Sequence, residues 1–301
     1  MISETLEAYL LARSAEIDQR LEAVLPAASC PPAGLHEAMR YALFSGGKRL
    51  RPILCLAACD AVGGGRRDAV LPFAVALELI HTYSLVHDDL PAMDNDAFRR
   101  GKPTTHKIFG EATAILVGDA LLTAAFGQIA EAGLASDFPY KKVLVVIREW
   151  AAAAGSVGMV GGQYADVASE GKSHLDLEEI YDIHRRKTGA LICSAVRIGG
   201  MLGGAGPKQL TMLTRYGEAV GLAFQIADDL LDVEGRTVET GKSTGSDAAR
   251  GKWTYPRKIG PDAARKEAEA MSERAISALK SFGPEADRLR EIAALVVRRT
   301  K

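Results

Sequence analysis

The sequence is poor in aromatic residues and in cysteines. Phe, Trp and Tyr make up 6% of the 301 residues, whereas Ala, Leu, Glu, Arg and Lys, which favour helices over strands, are abundant. The four cysteines, Cys30, Cys55, Cys59 and Cys193, show no CxxC spacing and no accompanying histidine pair, so their pattern gives no indication of a zinc site. Cys55 and Cys59 lie one helical turn apart in an apolar segment, and we interpret them as small buried side chains. The composition predicts an all-α protein, and the cysteine usage is typical of a reducing cytosol.

An excess of charge of one sign and long apolar runs are also lacking. The 37 basic and 38 acidic residues give a net charge of -1, so no overall field favours nucleic acid or an anionic membrane surface. No window approaches the ~18 uninterrupted apolar residues of a membrane span, and residues 1–7 contain no apolar signal core. We therefore expect a soluble, cytoplasmic protein with no membrane span and no nucleic-acid partner.

Apolar residues recur at helical spacing along most of the chain. The predicted helices cover residues 4–25, 35–44, 52–62, 71–86, 111–132, 139–154, 175–196, 209–233 and 263–297. No low-complexity linker and no internal repeat separates them, so residues 1–301 are predicted to form a single all-α domain. Residues 234–252 form a long Gly-rich, charged segment, which is typical of a functional lid or a disordered loop, and its lysines favour the lid.

Two clusters of aspartates carry the chemistry. Residues 88–96 hold four carboxylates directly after an apolar helical run, and such a cluster needs solvent or a divalent cation to offset its repulsion. A second cluster lies about 140 residues later, where Asp228 and Asp232 share one face of an apolar helix. If the two clusters face one cavity, they can hold two or three hard cations such as Mg²⁺.

Basic residues surround these clusters in the sequence. Residues 46–51 combine two glycines with three cations just before a helix, which suits an anion, although a solvated basic turn is the alternative. Residues 185–187 are likewise either a solvated face or the edge of a buried site. The candidate cations are Lys48, Arg51, Arg99, Arg100, Lys187, Lys242 and Lys252. With apolar helices as walls, this set favours a ligand in which an apolar chain carries a diphosphate.

Two residues before the first cluster have open interpretations. His81 shares a helix face with Asp88 and is either a ligand-binding residue or a satisfied core histidine. Tyr83 lies five residues before Asp88 and is either the floor of a cavity that opens at the aspartates or simply part of the core.

In their joint order these motifs resemble the trans-isoprenyl diphosphate synthase family, most closely its bacterial farnesyl diphosphate synthases. The resemblance covers nearly the whole chain and implies an all-α bundle of the isoprenoid synthase type around a central cavity, usually in a homodimer. The motifs that carry it are Asp88-Asp89-x4-Asp94, Arg99-Arg100-Gly101-Lys102-Pro103-Thr104, Asp228-Asp229-x2-Asp232, Gly46-Gly47-Lys48-Arg49-Leu50-Arg51-Pro52, Lys187-Thr188-Gly189 and Gly241-Lys242.

The resemblance also implies residue roles. Asp88 and Asp94 would bind two Mg²⁺ ions with support from Asp89, and Asp228 with Asp232 would bind a third, with Mn²⁺ as a substitute. The implied allylic diphosphate ligands are Arg99, Lys187, Gln225, Lys242 and Lys252, and the implied isopentenyl diphosphate ligands are Lys48, Arg51, His81 and Arg100. Lys187 and Thr188 would also present the Thr188 carbonyl and a hydroxyl to the developing carbocation.

The implied reaction is head-to-tail prenyl transfer from dimethylallyl or geranyl diphosphate to isopentenyl diphosphate. Tyr83 and Ser84 stand where the family sets the cavity floor, and an aromatic residue there predicts the C15 product (2E,6E)-farnesyl diphosphate. The alternative product is C20 geranylgeranyl diphosphate, whose synthases tend to carry a smaller residue at that position. A class I terpene cyclase and a non-catalytic partner subunit are further alternatives, and the intact second aspartate motif counts against both.

Overall fold

The all-α prediction is confirmed by a computed structural model that describes residues 5–63, 65–233 and 251–298. Lys242 and all of the predicted lid except its last two residues lie outside the described residues. The helices are α1 (Leu6–Val24), α2 (Ala33–Phe44), α3 (Leu50–Ala61), α4 (Arg67–Asp88), α5 (Thr105–Phe109), α6 (Glu111–Ala135), α7 (Tyr140–Ala154), α8 (Met159–Ser169), α9 (Leu177–His184), α10 (Ala190–Gly203), α11 (Pro207–Val233), α12 (Tyr255–Ile259), α13 (Pro261–Ala278) and α14 (Asp287–Arg298).

Several segments differ from the sequence prediction, including helix α12 and the break between α13 and α14 within the helix predicted over residues 263–297. A two-stranded antiparallel hairpin, β1 (Phe98–Arg99) with β2 (Lys102–Pro103), and helix α5 occupy a region that was expected to be a loop. Helix α8 forms within the glycine-rich stretch after residue 155. A π-helical turn, Arg185–Gly189, interrupts the helix that was predicted over residues 175–196. Helical periodicity does not reveal this turn, because its residues, Arg-Arg-Lys-Thr-Gly, contribute no apolar positions to the pattern.

Local signals explain where several helices begin and end. The Thr5 side chain accepts a hydrogen bond from the backbone N–H of Ala8 and caps α1. Asp176 and Glu179 form a capping box at the start of α9. Gly204 adopts a left-handed conformation, with φ of 97°, and ends α10.

The described chain divides into two compact units. The first unit comprises residues 1–53 and 71–139, and the second comprises residues 54–70 and 140–301. The sequence-based expectation of a single domain over residues 1–301 stays a prediction.

The first unit is organised around α4, whose apolar side chains are almost completely buried from Phe73 to Ile80. Phe73 packs edge-on against Phe138, with ring centroids 5.7 Å apart. Gly118 of α6 allows the His87 ring to approach closely, since a Cβ at that position would collide with the imidazole. The last turn of α4, which leads into the first aspartate motif, is therefore held against α6.

A buried ion pair also stabilises the first unit. Arg49, at 3% exposure, donates hydrogen bonds to Glu78 (2.8 Å), Asp18 (2.7 Å) and the carbonyl oxygen of Leu43 (2.8 Å). Burial by itself would lower the pKa of Arg49, but Glu78 and Asp18 outweigh that effect and raise it. Arg49 is thus a structural cation within the basic segment 46–51.

The second unit is built on close helix contacts at small residues. Gly199 and Gly203 of α10 lie against the backbones of Cys55 and Cys59, and Gly217 of α11 lies against Cys193. Cys55 and Cys59 are fully buried, and burial raises the pKa of both thiols. Their interpretation as small buried side chains is confirmed.

Three helical segments, residues 67–88, 111–135 and 140–169, are long and apolar enough to cross a membrane by length and composition alone. The sequence-based expectation of no membrane span rested on the lack of an uninterrupted apolar run. The mean hydropathy of a window is a different criterion, because it stays high when a few isolated polar residues interrupt the segment. In residues 67–88 the most apolar window is 67% buried inside the protein, so its apolarity serves the core. In residues 111–135 the corresponding window is 33% buried.

Replacing Glu78 by Gln should lower the free energy of unfolding by about 3 kcal/mol, because the buried Arg49 loses its main counter-charge. Urea denaturation measures the effect. The matched control is Glu16→Gln, which breaks a partly exposed pair with Arg13 on α1 and should cost no more than about 0.5 kcal/mol. Equal losses in the two variants would contradict a special role for the buried pair.

Candidate active site

The first aspartate motif begins at the C-terminus of α4. Asp88 is the last residue of that helix, and its carbonyl oxygen accepts a hydrogen bond of 2.7 Å from the backbone N–H of Asp94. Asn95 bonds back to the Leu90 carbonyl oxygen at 3.0 Å and has φ of 53°, a left-handed conformation that Asn adopts more easily than most residues. This turn brings the backbones of Asp88 and Asp94 together, although five residues separate them.

Asp89 is buried and paired within the first unit. Its two carboxylate oxygens accept hydrogen bonds from the Arg99 guanidinium at 2.5 to 2.9 Å. Burial opposes the charge of Arg99, but Asp89 raises the pKa of the guanidinium overall. The pair ties the β1 strand to the end of α4, whereas the predicted metal and diphosphate contacts of Asp89 and Arg99 stay predictions.

Arg100 packs on the glycine pair before α3. Its guanidinium donates to the carbonyl oxygen of Gly46, and a Cβ on Gly47 would collide with it. Gly47 has φ of 137°, in the region that favours glycine. The glycines therefore permit an arginine contact, in addition to the flexibility for which the sequence suggested them.

His81 lies in a strongly basic environment. Burial lowers the pKa of its imidazole well below the usual value, and the charges of Arg51 and Arg100 lower it further. The ring is therefore neutral at physiological pH, and it can donate one hydrogen bond and accept another. The structure thus brings together three of the residues predicted to bind isopentenyl diphosphate, while Lys48 is exposed nearby in sequence.

Tyr83 is buried at 6% exposure on α4. Its ring meets that of His87 edge-on, with centroids 5.9 Å apart. Burial raises the pKa of the Tyr83 hydroxyl to about 12, and Asp88 contributes. Ser84 is half-buried, and its hydroxyl donates to the His81 carbonyl oxygen of the same helix at 2.9 Å. The floor role of Tyr83 and Ser84 stays a prediction.

The second aspartate motif lies near the end of α11 and divides into two kinds of residue. Asp229 is buried at 2% exposure and accepts hydrogen bonds from the Gln225 side chain (2.9 Å) and the Tyr255 backbone N–H (3.3 Å). Asp228 and Asp232 are only half-buried and lie one turn apart on the helix. The middle aspartate fixes the motif within the second unit, and the outer two remain the predicted metal ligands.

The π-helical turn carries Lys187 and Thr188. Gly162 of α8 and Gly221 of α11 press against its backbone, since a Cβ at either position would collide with Lys187 or Gly189. The Thr188 hydroxyl donates to Gln225 Oε1 at 2.5 Å, which fixes the orientation of two predicted site residues. Turns of this kind occur frequently at functional sites.

Asp166 joins two of the predicted substrate-binding lysines. Its Oδ2 lies 2.6 Å from Lys187 Nζ and 3.3 Å from Lys252 Nζ. Burial alone would raise the pKa of Asp166, but the two lysines outweigh it and lower the pKa to about 2. Lys252, which follows the predicted lid, is 7% exposed and is thereby placed beside Lys187.

Asp166 is not among the site residues predicted from the sequence. A signal was available, because two lysines that enter a buried site require a counter-charge, and Asp166 is the acidic residue of the glycine-rich segment that precedes Lys187. The partners of Arg49, the buried Glu78 and the half-exposed Asp18, were also missed, because they lie 29 and 31 residues away from it in the chain.

The donor set suits magnesium in its chemistry. Carboxylate oxygens are the ligands that Mg²⁺ prefers, and Asp88 and Asp94 are brought together by the backbone at the end of α4. Among residues 5–63, 65–233 and 251–298, however, no group of three or more His, Cys, Asp or Glu side chains is clustered as a metal site. The number of ions and the ligand assignments stay predictions.

Comparison with known proteins decides the family. A family model described as polyprenyl synthetase matches residues 32–293. The chain belongs to the polyprenyl synthetase family. It is 45% identical to a chloroplastic geranylgeranyl pyrophosphate synthase of Catharanthus roseus over 93% of this chain and 77% of the relative, and further relatives at 43% and 45% identity carry similar names.

Solved structures support the same assignment. An FPP/GFPP synthase from Zymomonas mobilis superposes with a TM-score of 0.86 at 41% identity, covering 97% of this chain and 98% of that one. A geranyltransferase from Helicobacter pylori, complexed with magnesium and isoprenyl diphosphate, gives a TM-score of 0.84 at 30% identity, covering 99% of this chain and 98% of that one. The chain is therefore a prenyltransferase of the isoprenoid synthase fold, as the sequence motifs indicated.

Replacing Asp166 by Asn should lower the free energy of unfolding at pH 7 by about 2 kcal/mol, because a pKa depressed from 3.8 to about 2 stabilises the folded state. Between about pH 2 and pH 4, the Asp166 carboxyl binds fewer protons in the folded protein than in the unfolded chain. Its contribution is therefore complete above about pH 4 and is lost as the pH falls to about 2. Urea denaturation at pH 7, 4 and 3 measures the difference between variant and wild type.

The control for this prediction is Asp262→Asn, which removes a carboxylate that is 95% exposed and pairs with Arg265. It should change stability by no more than about 0.5 kcal/mol at any of these pH values. A constant gap between Asp166→Asn and the wild type down to pH 3 would contradict the ionic role of Asp166.

Proposed function

We propose that this prenyltransferase adds isopentenyl diphosphate to allylic diphosphates and that its main product is the C20 compound geranylgeranyl diphosphate. The observation that carries the reaction is the pair of aspartate motifs together with the Lys187–Asp166–Lys252 cluster in a member of the polyprenyl synthetase family. The observation that favours the C20 product is the name of the relatives at 43% to 45% identity. The sequence had favoured the C15 product, and these relatives favour its alternative.

Magnesium would be held by Asp88 and Asp94 and by Asp228 and Asp232, with Asp89 and Asp229 anchoring the two motifs. A metal held there would neutralise charge on the diphosphate and so make it a better leaving group. The protein's own contribution begins with fixed carboxylates, because Arg99 holds Asp89 and Gln225 holds Asp229 before any ligand binds. Such preorganisation avoids the cost of rearrangement during the reaction.

The basic residues would bind the two diphosphates. Lys187 and Lys252 are held side by side by Asp166, so two ammonium groups are ready for the allylic diphosphate, with Arg99, Gln225 and Lys242 as further proposed ligands. Lys48, Arg51, His81 and Arg100 would hold isopentenyl diphosphate, and the neutral His81 can donate a hydrogen bond to a phosphate oxygen without adding charge.

The remaining steps need no protein base. The Gln225 contact orients the Thr188 hydroxyl, and this hydroxyl together with the Thr188 carbonyl oxygen would stabilise positive charge on the allylic carbon. The isopentenyl double bond then attacks that carbon, and the released diphosphate accepts the proton that is lost. The buried apolar residues of α4 would exclude water, which would otherwise capture the carbocation.

A specific observation favours the C15 product as a second candidate. Tyr83 is buried on α4 one and a half turns before Asp88, where a bulky ring limits the length of a hydrocarbon tail that starts at the aspartates. The name FPP/GFPP synthase of the Zymomonas mobilis structure shows that relatives of this chain differ in product length.

We also propose that the chain forms a homodimer through α6. This helix exposes Ile115, Leu116 and Leu134 at 46%, 57% and 71%, and Leu116 and Leu134 lie five turns apart on one face. Exposed Asp119, Thr123 and Glu131 lie between these two leucines on the helix, so the proposal is supported by the exposure of three large apolar side chains and by the homodimer that the resemblance implies. Some relatives are named as heterodimeric subunits, so the assembly of this chain needs a direct test. Sedimentation equilibrium of the purified chain provides it, and a monomer at micromolar concentration would contradict the proposal.

The cytoplasmic location and the substitution of Mg²⁺ by Mn²⁺ stay predictions.

The purified protein, incubated with Mg²⁺, isopentenyl diphosphate and each of dimethylallyl, geranyl and farnesyl diphosphate, should elongate all three to C20 alcohols after dephosphorylation. Chromatographic sizing of the alcohols measures the outcome. Products that stop at C15 would support the second candidate, and absence of transfer from every primer would refute the reaction.

Asp88→Ala should reduce turnover at least about 100-fold, because a proposed metal ligand is lost, and retained activity would contradict that assignment.

Replacing Tyr83 by Ala should lengthen the main product by at least one isoprene unit, because the cavity gains the volume of the ring. The same sizing assay measures it. The matched control is Tyr140→Ala, which removes a tyrosine that is 73% exposed and should leave the product unchanged. A product of unchanged length from Tyr83→Ala would contradict the floor role.

A further inference from the structure

Trp253 immediately follows Lys252, one of the residues predicted to bind the allylic diphosphate. It is one of two tryptophans in the chain, and the other, Trp150, is fully buried in the core. Trp253 is half-buried and is surrounded by polar and charged groups, which is unusual for a side chain with a large apolar surface. Its surroundings therefore need an explanation other than core packing.

Two cations lie over the Trp253 ring. The Arg257 Cζ atom is 4.1 Å from the ring centroid, and the Lys258 Nζ atom is 5.7 Å from it. Both distances are within the range of cation–π attraction, and Trp is the aromatic residue that attracts cations most strongly. The His174 ring meets the indole edge-on at 6.1 Å. The indole is thus enclosed by three basic side chains.

The same cluster fixes the backbone on both sides of Lys252. The Trp253 Nε1–H donates to the Lys172 carbonyl oxygen at 2.9 Å. Arg257, stacked on the indole, donates to the carbonyl oxygens of Gly251 and Lys252, each at 2.7 Å. The backbone of Lys252 is therefore held by a guanidinium whose own position depends on the indole.

Lys252 reaches from this fixed backbone to the candidate site. Its Nζ atom lies 3.3 Å from Asp166 Oδ2 and 3.9 Å from Glu170 Oε1. On the other side of the cluster, Thr254 caps α12, and the Tyr255 N–H donates to Asp229 in the second aspartate motif. Trp253 thus lies in the short stretch between Lys252, a proposed diphosphate ligand, and Tyr255, whose backbone N–H holds Asp229.

We propose that Trp253 and Arg257 form a clamp that positions Lys252 for the allylic diphosphate. The contacts described for Trp253 and Arg257 are with each other, with neighbouring basic side chains and with backbone carbonyl oxygens, so we assign both as positioning residues that act through Lys252. A small residue in place of Trp253 would leave the guanidinium without its aromatic partner and Lys172 without the indole donor. The inference rests on the proposed function, because it assigns Lys252 to diphosphate binding.

The test compares Trp253→Ser, Trp253→Phe and Arg257→Gln with the wild type in steady-state kinetics. Trp253→Ser should raise KM for the allylic diphosphate by about tenfold. It should raise the constant for competitive inhibition by inorganic pyrophosphate, measured against the allylic diphosphate, by the same factor. A tenfold change corresponds to the loss of one cation–π contact and one hydrogen bond. KM for isopentenyl diphosphate should stay within about twofold. Trp253→Phe keeps an aromatic face for Arg257 and should recover most of the loss, and Arg257→Gln should resemble Trp253→Ser.

The matched control is Arg265→Gln, which removes an arginine from an i,i+3 pair with Asp262 on α13 and should leave all three constants unchanged. Equal increases of both KM values in Trp253→Ser, accompanied by a lower melting temperature, would show a merely structural role and overturn the proposal. Unchanged constants would overturn it as well.

Calorimetric titration of inorganic pyrophosphate with Mg²⁺ separates this proposal from the proposed function. If the wild type transfers no prenyl group but Trp253→Ser still binds pyrophosphate about tenfold more weakly, the clamp is retained and the proposed reaction fails. If the wild type is active and Trp253→Ser binds pyrophosphate as well as the wild type, the clamp alone is refuted.

Discussion

The structure depends on neutralising carboxylates that are withdrawn from water. A buried carboxylate is costly unless a cation or several hydrogen-bond donors compensate it. Both aspartate motifs meet this constraint in the same way: their middle residue is buried and bonded within its own unit, to Arg99 in the first motif and to Gln225 and a backbone amide in the second. The outer residues of each motif, Asp88 and Asp94 in the first and Asp228 and Asp232 in the second, are half-buried.

Buried cations face the same constraint, because they need a compensating negative charge. Lys187 and Lys252 would repel each other if Asp166 did not lie between them, and the lowered pKa of Asp166 reflects the attraction of both. Asp166 thus allows two cations to be gathered in one place before an anionic substrate arrives. The indole–guanidinium clamp at Trp253 extends this arrangement, because it sets where the backbone of Lys252 lies.

Small residues make these charged contacts sterically possible. Gly162 and Gly221 admit the π-helical turn that carries Lys187 and Thr188, Gly47 admits the Arg100 guanidinium, and Gly118 admits His87 at the end of α4. At each of these positions a methyl group would collide with a backbone or side chain of the site. The glycines therefore contribute close approach, which is a property of tertiary packing and is not apparent from their local sequence.

Helical periodicity and the spacing of charged residues are local properties, so they were sufficient to predict the all-α fold, the approximate helix bounds and the two aspartate motifs. The joint order of the motifs carried the resemblance to the family. The contacts between distant segments show which charged residues are buried and paired within the protein and which are more exposed. Arg49 and Lys48 are neighbours in the sequence, yet Arg49 is buried against Glu78 and Asp18 whereas Lys48 is exposed. Asp166, the π-helical turn and the Trp253 clamp were missed for the same reason, since each depends on contacts between segments far apart in the chain. Product length also depends on tertiary contacts. The sequence identifies Tyr83 from its distance to Asp88 along one helix, but the cavity volume next to its ring depends on every side chain that packs around it.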